Sequence, residues 1–197
     1  MARLCGIPIV LGIQDIYPES LVTLHRAENV EIEGRLWFLL DALALLHEEF
    51  GFSVVCSLHP RTRSKIDKSG FSIARAGVRF VSPLGFFDFT GLEQNAVCIL
   101  SEGGTVQEEA CIFGVPNVTI RDVTERAVTV ECGSNMLAGA ESAAIADAVS
   151  FVTQRRGKWT APAEYLARCV AETVCRIVLG YRTPDAAEIE WREKARA

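Results

Sequence analysis

The chain has 197 residues, 49% of them apolar and 23% charged, values that suit one globular domain large enough to bury a full core. Its formal net charge of -5 excludes a general nucleic-acid binder, so an anionic ligand would need arginines gathered locally. No stretch reaches the ~18 uninterrupted apolar residues of a membrane span; the seven cysteines, odd in number and irregular in spacing, read as free buried thiols in a reducing cytosol, and three well-separated histidines argue against a zinc site.

Residues 1–20 read as a linker or irregular segment. Their short apolar run holds Pro8 and two glycines, and no small-x-small cleavage pattern of a signal peptide follows it. A buried strand is predicted over Ser20–His25, then a helix over Ile32–Phe50 with Gly51 after its end. Phe52–Leu58 is a second strand, rich in β-branched residues and stopped by His59-Pro60, and Gly77–Leu84 a third. Phe86–Ala96 reads as helical, Val97–Leu100 as a fourth strand, and Thr105–Phe113 as a helix ending at Gly114. Asn117–Ile120 is a fifth strand and Asn135–Gly139 a sixth. Helices over Glu141–Gln154 and Pro162–Gly180 close the domain, which spans residues 21–181, and residues 182–197 form a charged, frayed tail.

Strands alternating with helices, with short continuous apolar strand runs, predict an α/β fold: a Rossmann-like, doubly wound parallel sheet covered on both faces. Ligands of such sheets sit at the carboxyl ends of the strands. The polar signals fall there: His25 and Arg26 after the first strand, His59 and Arg61 after the second, Ser101–Gly104 after the fourth, and Arg121-Asp122 after the fifth.

Each loop has a chemical reading and a plain one. Gly103 and Gly104 let the backbone approach a ligand where a helix begins, and a helix start suits phosphate; a tight turn capped by Thr105 explains the same residues. Glu108 and Glu109 both favour the helix dipole within the first turn or so, which leaves one carboxylate to accept from a pair of vicinal sugar hydroxyls. His25 can donate to a phosphate oxygen or protonate a leaving group, and Arg26 can grip an anion bidentately, or the two form a surface basic pair beside Glu28. Arg61 and Arg63 are anion ligands or solvated charges. One aromatic of Pro83–Phe89 can stack on a base ring, while Phe87 or Phe89 belongs to the core. Arg121 and Arg126 return two cations to the same rim.

Taken together, "LVTLHRAENV", "LHPRTR", "PLGFFDF", "ILSEGGTVQEEACIFGVPNVTIRDVTERAVTVECGSNMLAG" and "APAEYLARCVAETVCRIVLGY" resemble the non-hydrolysing UDP-N-acetylglucosamine 2-epimerases, in order and spacing, over nearly all of Leu21–Tyr181. The resemblance implies one half, the C-terminal UDP-binding half, of a two-domain glycosyltransferase-B-type (GT-B) fold. It places Phe86 against the uracil, Glu109 on the ribose hydroxyls, Gly103, Gly104 and Thr105 on the phosphates, and His25 and Arg126 beside the diphosphate. Arg26, His59 and Arg61 complete the expected UDP site, with His25 as the catalytic candidate. Two departures stand out: Glu102-Gly103-Gly104-Thr105 replaces the family's Asp-Ser-Gly-Gly or Asp-Ser-Gly-Thr, and Ala127 replaces a proline.

The implied reaction interconverts UDP-GlcNAc and UDP-ManNAc, or a modified relative, by eliminating and re-adding UDP, for surface-polysaccharide synthesis. The family's proton-abstracting carboxylates lie in an N-terminal domain that this sequence does not resemble, so the chain is expected to be catalytically incomplete without a missing or separately encoded N-terminal domain. The expected partners are UDP or a UDP-N-acetylhexosamine, that domain, and a second copy in a homodimer, with no nucleic acid, membrane, metal or cofactor and a cytoplasmic location. A non-catalytic nucleotide-sugar-binding module and the donor-binding half of a glycosyltransferase share this architecture.

Overall fold

The computed structural model describes residues 19–24, 32–69, 77–154 and 158–181. The chain divides into two compact units, Met1–Tyr165 and Leu166–Ala197. In the first, β1 (Glu19–Leu24), α1 (Glu33–Phe50), β2 (Ser53–Leu58), α2 (Pro60–Ser69), β3 (Val78–Val81), α3 (Phe86–Asn95), β4 (Cys98–Ser101), α4 (Gly104–Phe113), β5 (Asn117–Thr119), α5 (Ala127–Glu131), β6 (Asn135–Leu137) and α6 (Ser142–Gln154) follow in order. The second holds α7 (Val170–Gly180), whose Val170, Val174, Ile177 and Val178 share one face at helical spacing.

The six strands form one sheet in the order β3-β2-β1-β4-β5-β6, every pair parallel. The chain builds outward from β1 to β3, then restarts on the other side of β1 with β4. In open sheets of this class, ligands sit at the carboxyl ends of the strands beside that reversal. The expected doubly wound Rossmann-like fold is the one found.

Strand side chains alternate between faces, so each short apolar run feeds two cores. Val22, Val54, Cys56, Leu58, Cys98, Leu100 and Val118 face α1 and α6 in the larger core, while Leu21 and Ile99 point the other way, toward Ala110, Val115, Phe89 and Leu92. α1 covers its face because Leu36, Leu39, Leu40, Leu43 and Leu46 recur every three or four residues and are all buried. Each such leucine is worth on the order of 2 kcal/mol in burial. Gly51, left-handed at φ 69, stops the helix by returning its N–H to His47 O.

Two helices went unread in the sequence. Pro60, taken as a strand stop, is the first residue of α2, where a missing N–H costs nothing, and Thr62 and Ile66 bury its inner face. The five-residue α5 is too short for periodicity to reveal. The single helix expected over Pro162–Gly180 is instead a 3-10 turn, Ala163–Leu166, followed by α7, with Cys169 at φ 56 interrupting the helical path. Residues 1–18 and the tail over 182–197 lie outside the described residues. No helix among the described residues is long and apolar enough to cross a membrane.

Candidate functional site at the carboxyl rim of the sheet

β4 delivers the chain to the rim through two fully buried polar residues, Ser101 and Glu102. The Ser101 hydroxyl accepts the Gly103 N–H at 3.0 Å and donates to the Gly103 carbonyl at 3.2 Å, so the side chain before the turn fixes its shape. Gly103 is the N-cap of α4, and no side chain caps that helix. Thr105, expected as the cap, is the second helical residue and exposed, because the helix starts one residue earlier than the sequence suggested. The first intrahelical bond runs from Gln107 N to Gly103 O at 3.3 Å. The N–H groups before it carry the positive end of the helix.

Arg126 lies against this helix start. A Cβ added at Gly104 would stand 3.4 Å from both Cζ and Nε of Arg126, so a glycine here brings the guanidinium next to the backbone. Arg126 Nε pairs with Glu108 Oε1, and the Arg126 side chain as a whole is 40% exposed. The first turn of α4 contains no acidic residue, so the dipole reading of Glu108 and Glu109 is corrected: Glu108 serves as the partner of Arg126. Tyr165 stands near the same pair. Burial first, then the Glu108 charge, raise its phenol above the ordinary value. Arg121 is buried in a bidentate pair with Glu125, at 3.0 and 3.2 Å, which sets it apart from the half-exposed Arg126.

Glu109 turns the other way, toward α3. There it meets Glu93, a fully buried carboxyl, and burial followed by the neighbouring charge of Glu109 pushes Glu93 up to about 8. Burial raises Glu109 as well, and the hydrogen bond with Glu93 opposes that rise. As two ionised acceptors the pair has no donor, and both Glu93 oxygens then lack a partner. With one proton between them, Glu93 donates and Glu109 keeps the charge.

Phe86 opens α3 and is 69% exposed, packed edge-to-face on Phe87, which is 81% exposed, with ring centroids 5.5 Å apart. Phe89, by contrast, packs into the smaller core, which settles which of the two residues is structural. His59 is exposed just beyond β2, and its Nδ1 accepts the Arg61 N–H at 3.2 Å, which leaves the ring proton on Nε2. His25 and Arg26 lie outside the described residues. Cys56, Cys98 and Cys111 are buried free thiols, whereas Cys169 and Cys175 are exposed. Burial pushes Cys98 up to about 12 and Cys56 higher still, so neither serves as a nucleophile near neutrality.

Ser101, Glu93, Thr124 and the buried amides Gln107, Asn117 and Asn135 were not read from sequence as site residues. The available signal was polar side chains at the start of otherwise apolar strands, as in "NVTI" and "NML", and a glutamine inside the apolar face of α4.

A profile of the family described as UDP-N-acetylglucosamine 2-epimerase matches residues 15–179. The UDP-N-acetylglucosamine 2-epimerase of Methanocaldococcus jannaschii is 37% identical over 145 residues, 72% of this chain and 40% of that protein. The UDP-2,3-diacetamido-2,3-dideoxy-D-glucuronate 2-epimerase of Pseudomonas aeruginosa is 41% identical over 133 residues, 68% of this chain and 36% of that protein. The crystal structure of the M. jannaschii enzyme in complex with UDP-GlcNAc and UDP superposes with a TM-score of 0.78 at 33% identity, covering 84% of this chain and 46% of that one. The chain thus spans less than half the length of these relatives. By fold, matched extent and motif order, it belongs to the UDP-N-acetylglucosamine 2-epimerase family.

Proposed function

We propose that this chain is the UDP-binding half of a UDP-N-acetylglucosamine 2-epimerase, interconverting UDP-GlcNAc and UDP-ManNAc, or a modified relative, together with an N-terminal half on the same or a separate polypeptide. The observation that carries the reading is Arg126 lying against Gly104 at the uncapped start of α4, beside the point where the strand order reverses. A guanidinium and a row of helix N–H groups converging there suit a diphosphate.

In this reading Gly103, Gly104, Thr105 and Arg126 hold the diphosphate, with Arg26, His59 and Arg61 along the rim. Glu109 accepts from the ribose hydroxyls and Phe86 stacks on the uracil. His25 protonates the departing UDP oxygen, and the carboxylates that remove the C2 proton belong to the N-terminal half. The working protein is a cytoplasmic homodimer.

Calorimetric titration with UDP tests the binding. The chain alone binds UDP weakly, and Arg126→Ala weakens binding about ten- to a hundredfold, the range for a charge-assisted contact. Proton exchange at C2 of UDP-GlcNAc tests the chemistry: the chain alone turns over little or nothing, and an added N-terminal half restores it. Absence of UDP binding at millimolar concentration, or robust turnover by the chain alone, would refute the reading.

A further inference from the structure

We propose that Gln107 and Thr124 are positioning residues for Arg126: a closed circuit of hydrogen bonds through them fixes where the guanidinium stands over the start of α4. The proposal rests on the reading that Arg126 and that helix start hold a phosphate-bearing ligand.

The circuit can be followed from the backbone of Arg126 outward. Arg126 N–H donates to Thr124 Oγ1 at 3.1 Å, and that hydroxyl donates to Gln107 Oε1 at 2.7 Å. Gln107 Oε1 also accepts from Asn135 Nδ2 at 3.2 Å. The second Nδ2 proton goes to Thr129 Oγ1 at 3.1 Å, whose hydroxyl donates to Arg126 O at 2.7 Å. Both backbone polar groups of Arg126 are therefore tied, by two separate arms, to one pair of buried amides.

Asn135 joins the two arms of the circuit to the sheet. Its Oδ1 accepts from Asn117 Nδ2 at 2.7 Å and from Thr119 Oγ1 at 2.8 Å, and its Nδ2 makes the two donations above. In this orientation all four bonding positions of the amide are filled. With Asn135 fixed, Gln107 must present its oxygen, and Thr124 must donate to it and accept from Arg126. The order runs from β5 and β6 to Thr124 in the loop before Arg126. Gln107, fully buried, keeps its Nε2 without a partner among the described residues. The circuit explains a polar residue on the buried side of α4, between Gly104, which abuts the guanidinium, and Glu108, which pairs with it.

Thr124→Val keeps the shape of the side chain and removes both bonds. NMR titration should show UDP affinity falling at least tenfold in Thr124→Val, uridine affinity within twofold of the unchanged chain, and Thr124→Ser restoring UDP binding. Unchanged UDP affinity in Thr124→Val, or an equal loss for uridine, overturns the proposal. Amide hydrogen exchange in the unsubstituted chain is the second measurement and needs no variant to fold: the Arg126 amide should exchange as slowly as amides of α4. Fast exchange there overturns the proposal whether or not UDP binds, whereas failure of the unsubstituted chain to bind UDP counts against the functional reading alone.

Discussion

Replacing Glu93 by glutamine should stabilise the protein, and by an amount that grows with pH. Glu93 is fully buried, and its carboxyl is pushed from 4.5 to about 8 by burial and by the charge of Glu109. A carboxyl raised in the folded state binds its proton more tightly there than in the unfolded chain. Stability is therefore complete below pH 4.5 and is lost as pH rises toward 8. Each pH unit in that window removes about 1.4 kcal/mol, so the loss is about 3 kcal/mol at pH 7 and about 4 kcal/mol at pH 8. That is a large part of the ~5–15 kcal/mol that holds a domain folded.

Glutamine keeps the size of the side chain, retains an N–H to donate to Glu109, and has no proton to lose. Urea unfolding of both proteins at half-unit steps from pH 5.5 to 8.5 isolates the effect of the Glu93–Glu109 pair, because the titrations outside that pair are common to the two. The stability gap should widen by about 1.4 kcal/mol per pH unit up to pH 7.5 and level off above 8. A gap that stays constant with pH would mean that Glu93 loses its proton in the ordinary carboxyl range, and the shared-proton account of the Glu93–Glu109 pair would be wrong.

Gly77→Ala should destabilise the fold by more than about 2 kcal/mol in the same unfolding assay, since φ is +70 and the added Cβ would fall 1.9 Å from the His47 ring. Asn135→Leu removes four buried hydrogen bonds, to Gln107, Asn117, Thr119 and Thr129, with an expected loss of about 3 kcal/mol or more. In the folded protein a maleimide should label the exposed Cys169 and Cys175 within minutes at pH 7.5 and leave Cys56 and Cys98 unlabelled until denaturant is added, read by intact mass.

The sheet was legible because its signals are local. A strand buried on both faces must be largely apolar, and "SVVCSL" and "CILS" are such runs whatever surrounds them. The helix start after the glycine turn was legible to within one residue, since a glycine pair after an apolar strand and before a helical run marks a turn. Which partner each group takes is a different kind of information. Glu108 and Glu109 are adjacent in sequence, yet one meets Arg126 across the loop and the other meets Glu93 on a neighbouring helix. Nothing in "QEE" decides that, because neighbours on a helix point about 100° apart and the outcome depends on what packs on each side. The buried amides were missed because an asparagine in a strand looks unfavourable until its four partners are assembled from three other elements.

The electrostatics of the rim follow from the same partners. The chain carries a net charge of -5, and Glu102, Glu108 and Glu109 cluster within eight residues of the turn. A site meant to attract an anion from a distance would not be built this way. Glu108 neutralises most of the long-range field of Arg126, while the guanidinium stays beside Gly104. What remains at the rim is short-range: oriented N–H groups, a guanidinium locked in place at its backbone, and an exposed aromatic face. Such a site discriminates by geometry, because each contact requires the ligand to be seated before it contributes. Under the function proposed above, in which a nucleotide is released from a sugar and returned to the same carbon, a rim that grips the seated nucleotide without drawing in every passing anion is the arrangement that chemistry favours.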